Sequence, residues 1–390
     1  MLSFSSWPAY SAEEIGAVTA VLKSGKVNYW TGNECRLFEK EFAEFCDAKY
    51  AVALSNGTVA LELALRSLGV GQGDEVVVTS RTFLASVSAI VAVGAIPIFS
   101  DIDPNSQNIT ASSIVGLLTL KTKAIITVHL AGWPCDMDPI MALAKKHNLK
   151  VLEDCSQAHG AKYKGRSVGS IGDVAAWSFC QDKIMTTGGE GGMMTTNDPQ
   201  LFEFAWSYKD HGKSWDAVYK QNHAPGFRWL HDNWGTNWRM TEIQAAIGRI
   251  QINKMSKWSK LRQQNAEAIL SVGEQFKNLL LAPHPPAEIE HGWYKCYLFI
   301  RPEALTKSWS RDRVKEEIIS RGVPCYSGSC PEVYLEKVFE GTGFRPKKRL
   351  PTAKKLGETS LMFPVHPTLL KKEISLFCSV ISEVLTEASK

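Results

Sequence analysis

From Tyr50 to Thr196, short apolar runs rich in β-branched residues alternate with stretches of helical periodicity. The runs are Tyr50–Leu54, Glu75–Thr79, Ile96–Phe99, Ala124–His129, Lys150–Glu153 and Val174–Phe179. Between them, Thr58–Leu68, Leu84–Val93 and Asp138–His147 carry helical spacing. Strands that are apolar along their whole length are covered on both faces, which indicates a mainly parallel sheet flanked by helices. In such sheets ligands bind beyond the carboxyl ends of the strands. The polar residues that follow each run are therefore where chemistry is expected.

Past Met240 the pattern changes. Ile243, Ile247 and Ile250 predict a helix over Met240–Met255, leading into a charged helix over Lys257–Phe276 and a proline-rich turn, APHPPAEIEHG. A strand at Trp293–Ile300, a helix at Ser310–Arg321, a loop at Gly322–Pro331 and a last helix from Lys371 give a mixed α+β pattern. A chain of 390 residues exceeds what one compact core usually holds. Two domains are expected, residues 1–250 and a smaller one at 251–390. No internal repeat or low-complexity segment is visible.

Composition removes several classes of function. The net charge is +4 and the basic residues are spread along the chain instead of lining one element, so nucleic acid is not an expected partner. The nine cysteines form no CxxC pair and no His/Cys group with zinc-site spacing, which fits reduced thiols and no metal centre. The start, MLSFSSWPAYSAEEIG, lacks the basic and apolar regions of a signal peptide. The longest apolar stretches, such as Ala85–Ile98, are interrupted by Ser and Gly and are too short to span a bilayer. A soluble, cytoplasmic protein is expected.

Four local signals carry candidate chemistry. Ser55-Asn56-Gly57-Thr58 lies between a strand and a helix, where exposed backbone N–H groups and a hydroxyl suit a phosphate; taken alone, a plain N-cap by Asn56 or Thr58 is the commoner source of this pattern. Val151-Leu152-Glu153-Asp154 ends an apolar strand in two acids, and a buried acid needs a partner. A protonated pyridine nitrogen would serve, as would a metal or a helix N-terminus. Lys183 follows the Trp177–Phe179 strand and precedes TTGGEGG; desolvation there can turn a lysine into an amine nucleophile, although a surface lysine before a flexible turn has the same local pattern. Gly235-Thr236-Asn237-Trp238-Arg239-Met240-Thr241-Glu242 opens a helix and reads either as a site or as a cap beside a buried Trp.

Taken together, NGTVALELAL, TFLASVSAI, VLEDCSQAHGA, GDVAAWSFCQDKIMTTGGEGG and NWRMTEIQAAIGRIQ resemble, in order, segments of the DegT/DnrJ/EryC1/StrS sugar aminotransferases. The resemblance runs from about Phe38 to Gln251 and resumes at SLMFPVHPTL. It implies an aspartate-aminotransferase-like fold (fold type I): a mainly parallel, seven-stranded-type sheet in the large domain and a smaller α+β C-terminal domain. It also implies pyridoxal 5′-phosphate as cofactor and a homodimer with shared active sites. An amino-acid donor, glutamate or glutamine, and a sugar acceptor complete the expectation. Residue by residue, Lys183 matches the lysine that bonds to the cofactor and moves the proton. Asp154 matches the partner of the ring nitrogen, Gln157 the contact to the ring hydroxyl and Phe83 the aromatic on the ring face. Gly57, Thr58 and Ser178 match the phosphate cup, and Asn237 the residue reaching the phosphate from the neighbouring subunit. Trp30, Arg239, Tyr326 and Ser327 are substrate-side candidates; His159 is expected only to pack.

One segment departs from the family pattern. Many members that act on nucleotide-linked sugars carry a histidine in an HYP-like stretch, whereas here the loop reads GVPCYSGSCP. This resembles the branch that includes 8-amino-3,8-dideoxy-octulosonate aminotransferases, and implies an acidic or unusual sugar in place of a nucleotide-linked 4-keto-hexose. A dehydratase branch carries a histidine where Lys183 stands, so Lys183 favours transamination. A regulator that had kept only the fold would be expected to have lost Lys183 or Asp154.

Overall fold

The computed structural model describes residues 4–389; residues 1–3 and 390, at the outer ends of the two expected domains, lie outside the described residues. Seven strands form the large sheet: β1 (Tyr50–Leu54), β2 (Glu75–Thr79), β3 (Ile96–Ser100), β4 (Thr122–Val128), β5 (Lys150–Asp154), β6 (Val174–Ser178) and β7 (Gly192–Thr196). Their order is β1-β7-β6-β5-β4-β2-β3. All pairings are parallel except those of β7, which runs antiparallel to both β1 and β6. The expected mainly parallel sheet is therefore present, with one strand that the apolar pattern does not announce. Gly192-Met193-Met194-Thr195-Thr196 contains no Val or Ile, yet every residue of it is buried.

Helices cover both faces. On one side α3 (Gly57–Ser67), α4 (Ala85–Ala92) and α6 (Pro199–Tyr208) enclose a core of Leu61, Leu65, Val76, Val78 and Ile126. On the other, α1 (Ala12–Ser24) packs on the long helix α7 (Glu242–Gln275), and α2 (Glu34–Phe45) brings Phe38 and Phe42 against Trp177 and Phe179. Further along that face, α5 (Met137–Lys146) adds Ile140 to a cluster with Val77, Ile125 and Val151.

The two helices expected over Met240–Met255 and Lys257–Phe276 are one continuous helix, α7, because no Gly or Pro falls near Ser256 to break it. A capping box of Thr241 and Gln244 starts α7. Its first half contributes Ala245 and Met255 to the core of the large sheet, and its second half contributes Ala266, Ile269 and Leu270 to a separate C-terminal core. That core is closed by a three-stranded antiparallel sheet, β8 (Leu280–Leu281), β9 (Lys295–Ile300) and β10 (Ser360–Pro364), and by α8 (Arg311–Ser320) and α9 (Lys371–Ala388). The N-terminal segment joins it through Phe4, whose ring meets Phe377 edge-on. No described helix is long and apolar enough to cross a membrane.

Candidate active site

The carboxyl ends of β5 and β6, the N-terminus of α3 and the C-terminal sheet surround a cavity of about 1070 Å³. Asp154, the last residue of β5, lines it and is buried. Its Oδ2 accepts from Ser86 Oγ on α4 (2.7 Å) and its Oδ1 from the Ser156 amide (3.1 Å). Two neutral donors leave room for a further, charged one, which a buried carboxylate needs. Lys183 enters from the loop between β6 and β7, with its side chain 17% exposed. The loop is pinned at that residue: the Lys183 amide donates to Cys180 O (3.1 Å), and Lys183 O accepts from Trp7 Nε1 (2.8 Å). Lys183 Nζ lies 3.7 Å from Asp182 Oδ1 and 5.3 Å from the centre of the Tyr294 ring.

The start of α3 is shaped by two glycines. Asn56 caps the helix by accepting the Val59 amide (3.0 Å) at Oδ1, and Gly57 and Thr58 line the cavity beside it. A Cβ on Gly57 would stand 2.6 Å from Ser178 Cβ, and one on Gly192 would stand 2.2 Å from Asn56 O. Gly57 thus lets the helix end touch the serine at the end of β6. Gly192, the last glycine of GGEGG, lets β7 pass beneath the same turn. The result is a helix N-terminus, a threonine and a serine at one end of the cavity, an arrangement suited to a phosphate dianion.

Gln157 and Phe83 also line the cavity. Gln157 Oε1 is held by the Ala131 amide (2.8 Å), while Phe83 is 70% exposed although it is a large aromatic residue. Tyr326 lines the opposite wall. The other substrate-side candidates are not brought to the cavity within one chain. Trp30 Nε1 donates to Asp210 Oδ2 (2.6 Å) and Arg239 pairs with the same carboxylate, so both are tied into a buried charge cluster. Ser327 is exposed and contributes its carbonyl to Ser360 Oγ (2.7 Å). Asn237 is exposed on the segment before α7 and does not line the cavity. His159 is buried against the Trp177 and Phe179 rings, and burial pushes its imidazole down to about 3, so it packs as a neutral ring.

Several cavity residues went unremarked in the sequence: Trp7, Ser86, Arg262, Tyr294, Lys295 and His366. Lys295 had a legible signal, being a charge at the head of the apolar run Cys296–Ile300. The others have none, since they come from the N-terminus, α4, α7 and the small sheet and meet only in the fold. Glu153, the second acid of β5, is structural. It accepts from the amides of Gly169 (3.0 Å), Ile171 (2.9 Å) and Gly172 (2.7 Å) and from His129 Nε2 (3.0 Å). His129 Nδ1 is occupied by the Cys135 amide (3.0 Å). In the buried cluster of His129, Glu153 and Cys155, the histidine and the carboxylate are thus engaged by protein partners.

Residues 8–382 match the DegT/DnrJ/EryC1/StrS aminotransferase family. The chain belongs to that family. Among its relatives, GDP-perosamine synthase of Escherichia coli O157:H7 is 36% identical over 91% of both chains. The dTDP-3-amino-3,4,6-trideoxy-alpha-D-glucose transaminase of Streptomyces venezuelae is 34% identical over 92% of this chain and 88% of that one. A solved aminotransferase from Psychrobacter cryohalolentis superposes with a TM-score of 0.98, at 58% identity over 99% of this chain and 100% of that one. The fold is that of fold type I aminotransferases, and the protein is a pyridoxal-phosphate enzyme. As a member of the DegT/DnrJ/EryC1/StrS family it has a site that fits this cofactor on its own geometry. A lysine amine, a buried carboxylate with spare acceptor capacity and a helix-end anion cup share one cavity.

Proposed function

We propose that this aminotransferase moves an amino group from an amino acid, glutamate in the first instance, to the carbonyl carbon of a sugar destined for a cell-surface polysaccharide. The donor becomes a 2-oxo acid, and the acceptor's C=O is replaced by a C–N bond. The observation that carries this reading is the sharing of one cavity by Lys183, Asp154 and the Gly57–Thr58–Ser178 cup. In this assignment Gly57, Thr58 and Ser178 hold the cofactor phosphate and Asn237 of the partner subunit reaches it. Phe83 covers the ring, Gln157 meets its hydroxyl, and Asp154 keeps the ring nitrogen protonated. When bound, pyridoxal phosphate supplies the electron sink for the bond broken at the amino-bearing carbon. Lys183 Nζ holds and moves the proton at that carbon, its natural task as the amine nearest the reaction.

The acceptor is proposed to be an acidic sugar, with an 8-oxo-3,8-dideoxy-octulosonate as the leading candidate. Tyr326 and Ser329 of the histidine-free loop line the cavity, and Arg262 and Lys295 give its small-domain wall positive charge. A second reading, a nucleotide-linked keto-sugar, is favoured by what the relatives named above make. The test is to incubate cofactor-loaded protein and glutamate with both acceptor classes and compare specificity constants. A preference for the octulosonate supports the first reading. A preference of about tenfold or more for the nucleotide-linked sugar, equal to about 1.4 kcal/mol of transition-state binding, overturns it. Lys183→Ala should transfer nothing to either acceptor and lack the Schiff-base absorbance that borohydride bleaches in the native protein while fixing the cofactor to the chain.

A further inference from the structure

Two cations of the cavity lining, Arg262 and Lys295, offer more than the general positive charge described above. Arg262, on α7, is 1% exposed. Its Nη1 donates to Trp293 O (3.3 Å) and its guanidinium lies 5.1 Å from the centre of the Trp7 ring. Nε and Nη2 have no partner among the described residues, although both are buried. Lys295, at the start of β9, stands 4.8 Å from the centre of the Tyr294 ring. Both side chains line the cavity together with Lys183.

An arginine stripped of water with two idle donor nitrogens is costly to keep unless something fills them. Among the described residues no carboxylate pairs with Arg262. Asp182, the acid nearest Lys183, accepts from the Tyr294 hydroxyl. Asp154, bonded to Ser86 and Ser156, and Glu190, which is exposed, form no ion pair with Arg262 among the described residues. Burial also pushes the Lys295 ammonium down to about 8, with Arg262 and Lys183 adding like-charge repulsion against the help of Asp182. Two desolvated cations on one cavity wall are the condition under which an anionic ligand gains most, because its charge meets donors that water no longer screens.

We propose that Arg262 and Lys295 form a carboxylate-binding subsite in this wall, which takes a substrate's carboxylate while the amino-bearing carbon sits by Lys183. A carboxylate suits the pair better than a diphosphate, since its two oxygens match the two adjacent unpartnered nitrogens of Arg262, Nε and Nη2. The subsite deepens the aminotransferase reading and rests on it for the identity of the ligand, which is either the donor's carboxylate or that of an acidic acceptor.

The experiment uses cofactor-loaded protein and glutarate, a dicarboxylate that cannot transaminate, with affinity read by titration calorimetry. Arg262→Gln and Lys295→Met are expected to weaken glutarate at least tenfold each while keeping cofactor content, and Arg262→Lys to recover part of the loss. Absence of glutarate binding by the native protein would overturn the subsite, as would unchanged affinity in folded variants. Inorganic pyrophosphate binding through these two residues in preference to glutarate would also overturn it. Should Arg262→Gln not fold, Lys295→Met decides alone. Rapid-mixing runs of each half-reaction identify the source: a raised half-saturation for glutamate assigns the donor, and one for the acidic sugar assigns the acceptor. Failure of the aminotransferase reading is separate. It would show as no amino transfer by native protein, with glutarate binding still dependent on both residues.

Discussion

At the scale of single residues, the two acids that end β5 show how position sorts identical chemistry. Burial alone would push the Glu153 carboxyl up, but the bond from His129 and those from Gly172 and Gly169 outweigh it and hold the group below the ordinary glutamate range. A carboxyl depressed in the folded state adds stability above its unfolded value and loses it as pH falls through the folded one. Glu153→Gln should therefore cost about 3 kcal/mol or more at neutral pH, because an amide nitrogen cannot accept these N–H groups. Its deficit relative to the native protein should shrink as acid protonates the native carboxylate, as denaturant titrations at several pH values would reveal. Asp154→Asn should behave in the opposite manner. It should fold with near-native stability and lose at least about a hundredfold in kcat, since the proposed pairing with the ring nitrogen goes while Ser86 keeps an acceptor. Lys295 gives a third sign. Burial, joined by repulsion from Arg262 and Lys183 and opposed by Asp182, pushes its ammonium down to about 8, so the unfolded chain holds the proton more tightly and ligand-free stability should rise between pH 8 and the ordinary lysine range. Lys295→Met should accordingly raise the melting temperature of the ligand-free protein by ~1–3 °C while weakening dicarboxylate binding.

At the scale of elements, most of what positions the site is readable in the chain. Runs of Val, Ile and Ala mark β1 to β6 to within about two residues, and SNGT marks the capped start of α3. β7 escapes because strand propensity is weak where packing decides: Gly192 is there for the space it leaves to Asn56, and Met193 and Met194 are buried on the sheet's faces. β10, Ser360–Pro364, likewise stands inside a segment recognised by likeness and not by periodicity. The contact between α3 and β6 yields a sharp expectation. In Gly57→Ala the new methyl would meet Ser178 Cβ, which belongs to a rigid strand end and cannot swing aside. About 1–3 kcal/mol of stability should be lost, and cofactor affinity should fall with it, measurable by dialysis against limiting pyridoxal phosphate.

Across the whole molecule, the cavity gathers residues from the N-terminal segment, β5, β6, α3, α7, β9 and the loop before β10, a set no local pattern could join. Family likeness supplied Lys183, Asp154, Gln157, Phe83 and the phosphate cup, all of which meet there. It could not supply Arg262 and Lys295, whose interest lies in lacking partners. Asn237 stays outside the cavity of its own chain, while Phe227, Trp229 and Trp234 nearby are 78%, 84% and 96% exposed. Large aromatics so exposed are what the proposed shared-site dimer would be expected to cover. Mixing Lys183→Ala protein with an Asn237→Ala variant should restore up to about a quarter of native activity once subunits exchange, for one site in the mixed dimer escapes both lesions. No recovery despite exchange, followed by labelled subunits, would count against sharing.

The unbroken helix α7 bears on how this cavity can open. Its 34 residues make a rod about 50 Å long, clamped at one end in the core under the large sheet and at the other in the core behind the small one. A hinge needs a few residues that can absorb a change in backbone angle, and Glu242–Gln275 has neither a proline nor a cap within it. Swinging the two halves apart would mean flexing that rod against both of its sockets. The body of this enzyme is accordingly a fixed frame, in which the two walls of the cavity keep their spacing as a sugar enters.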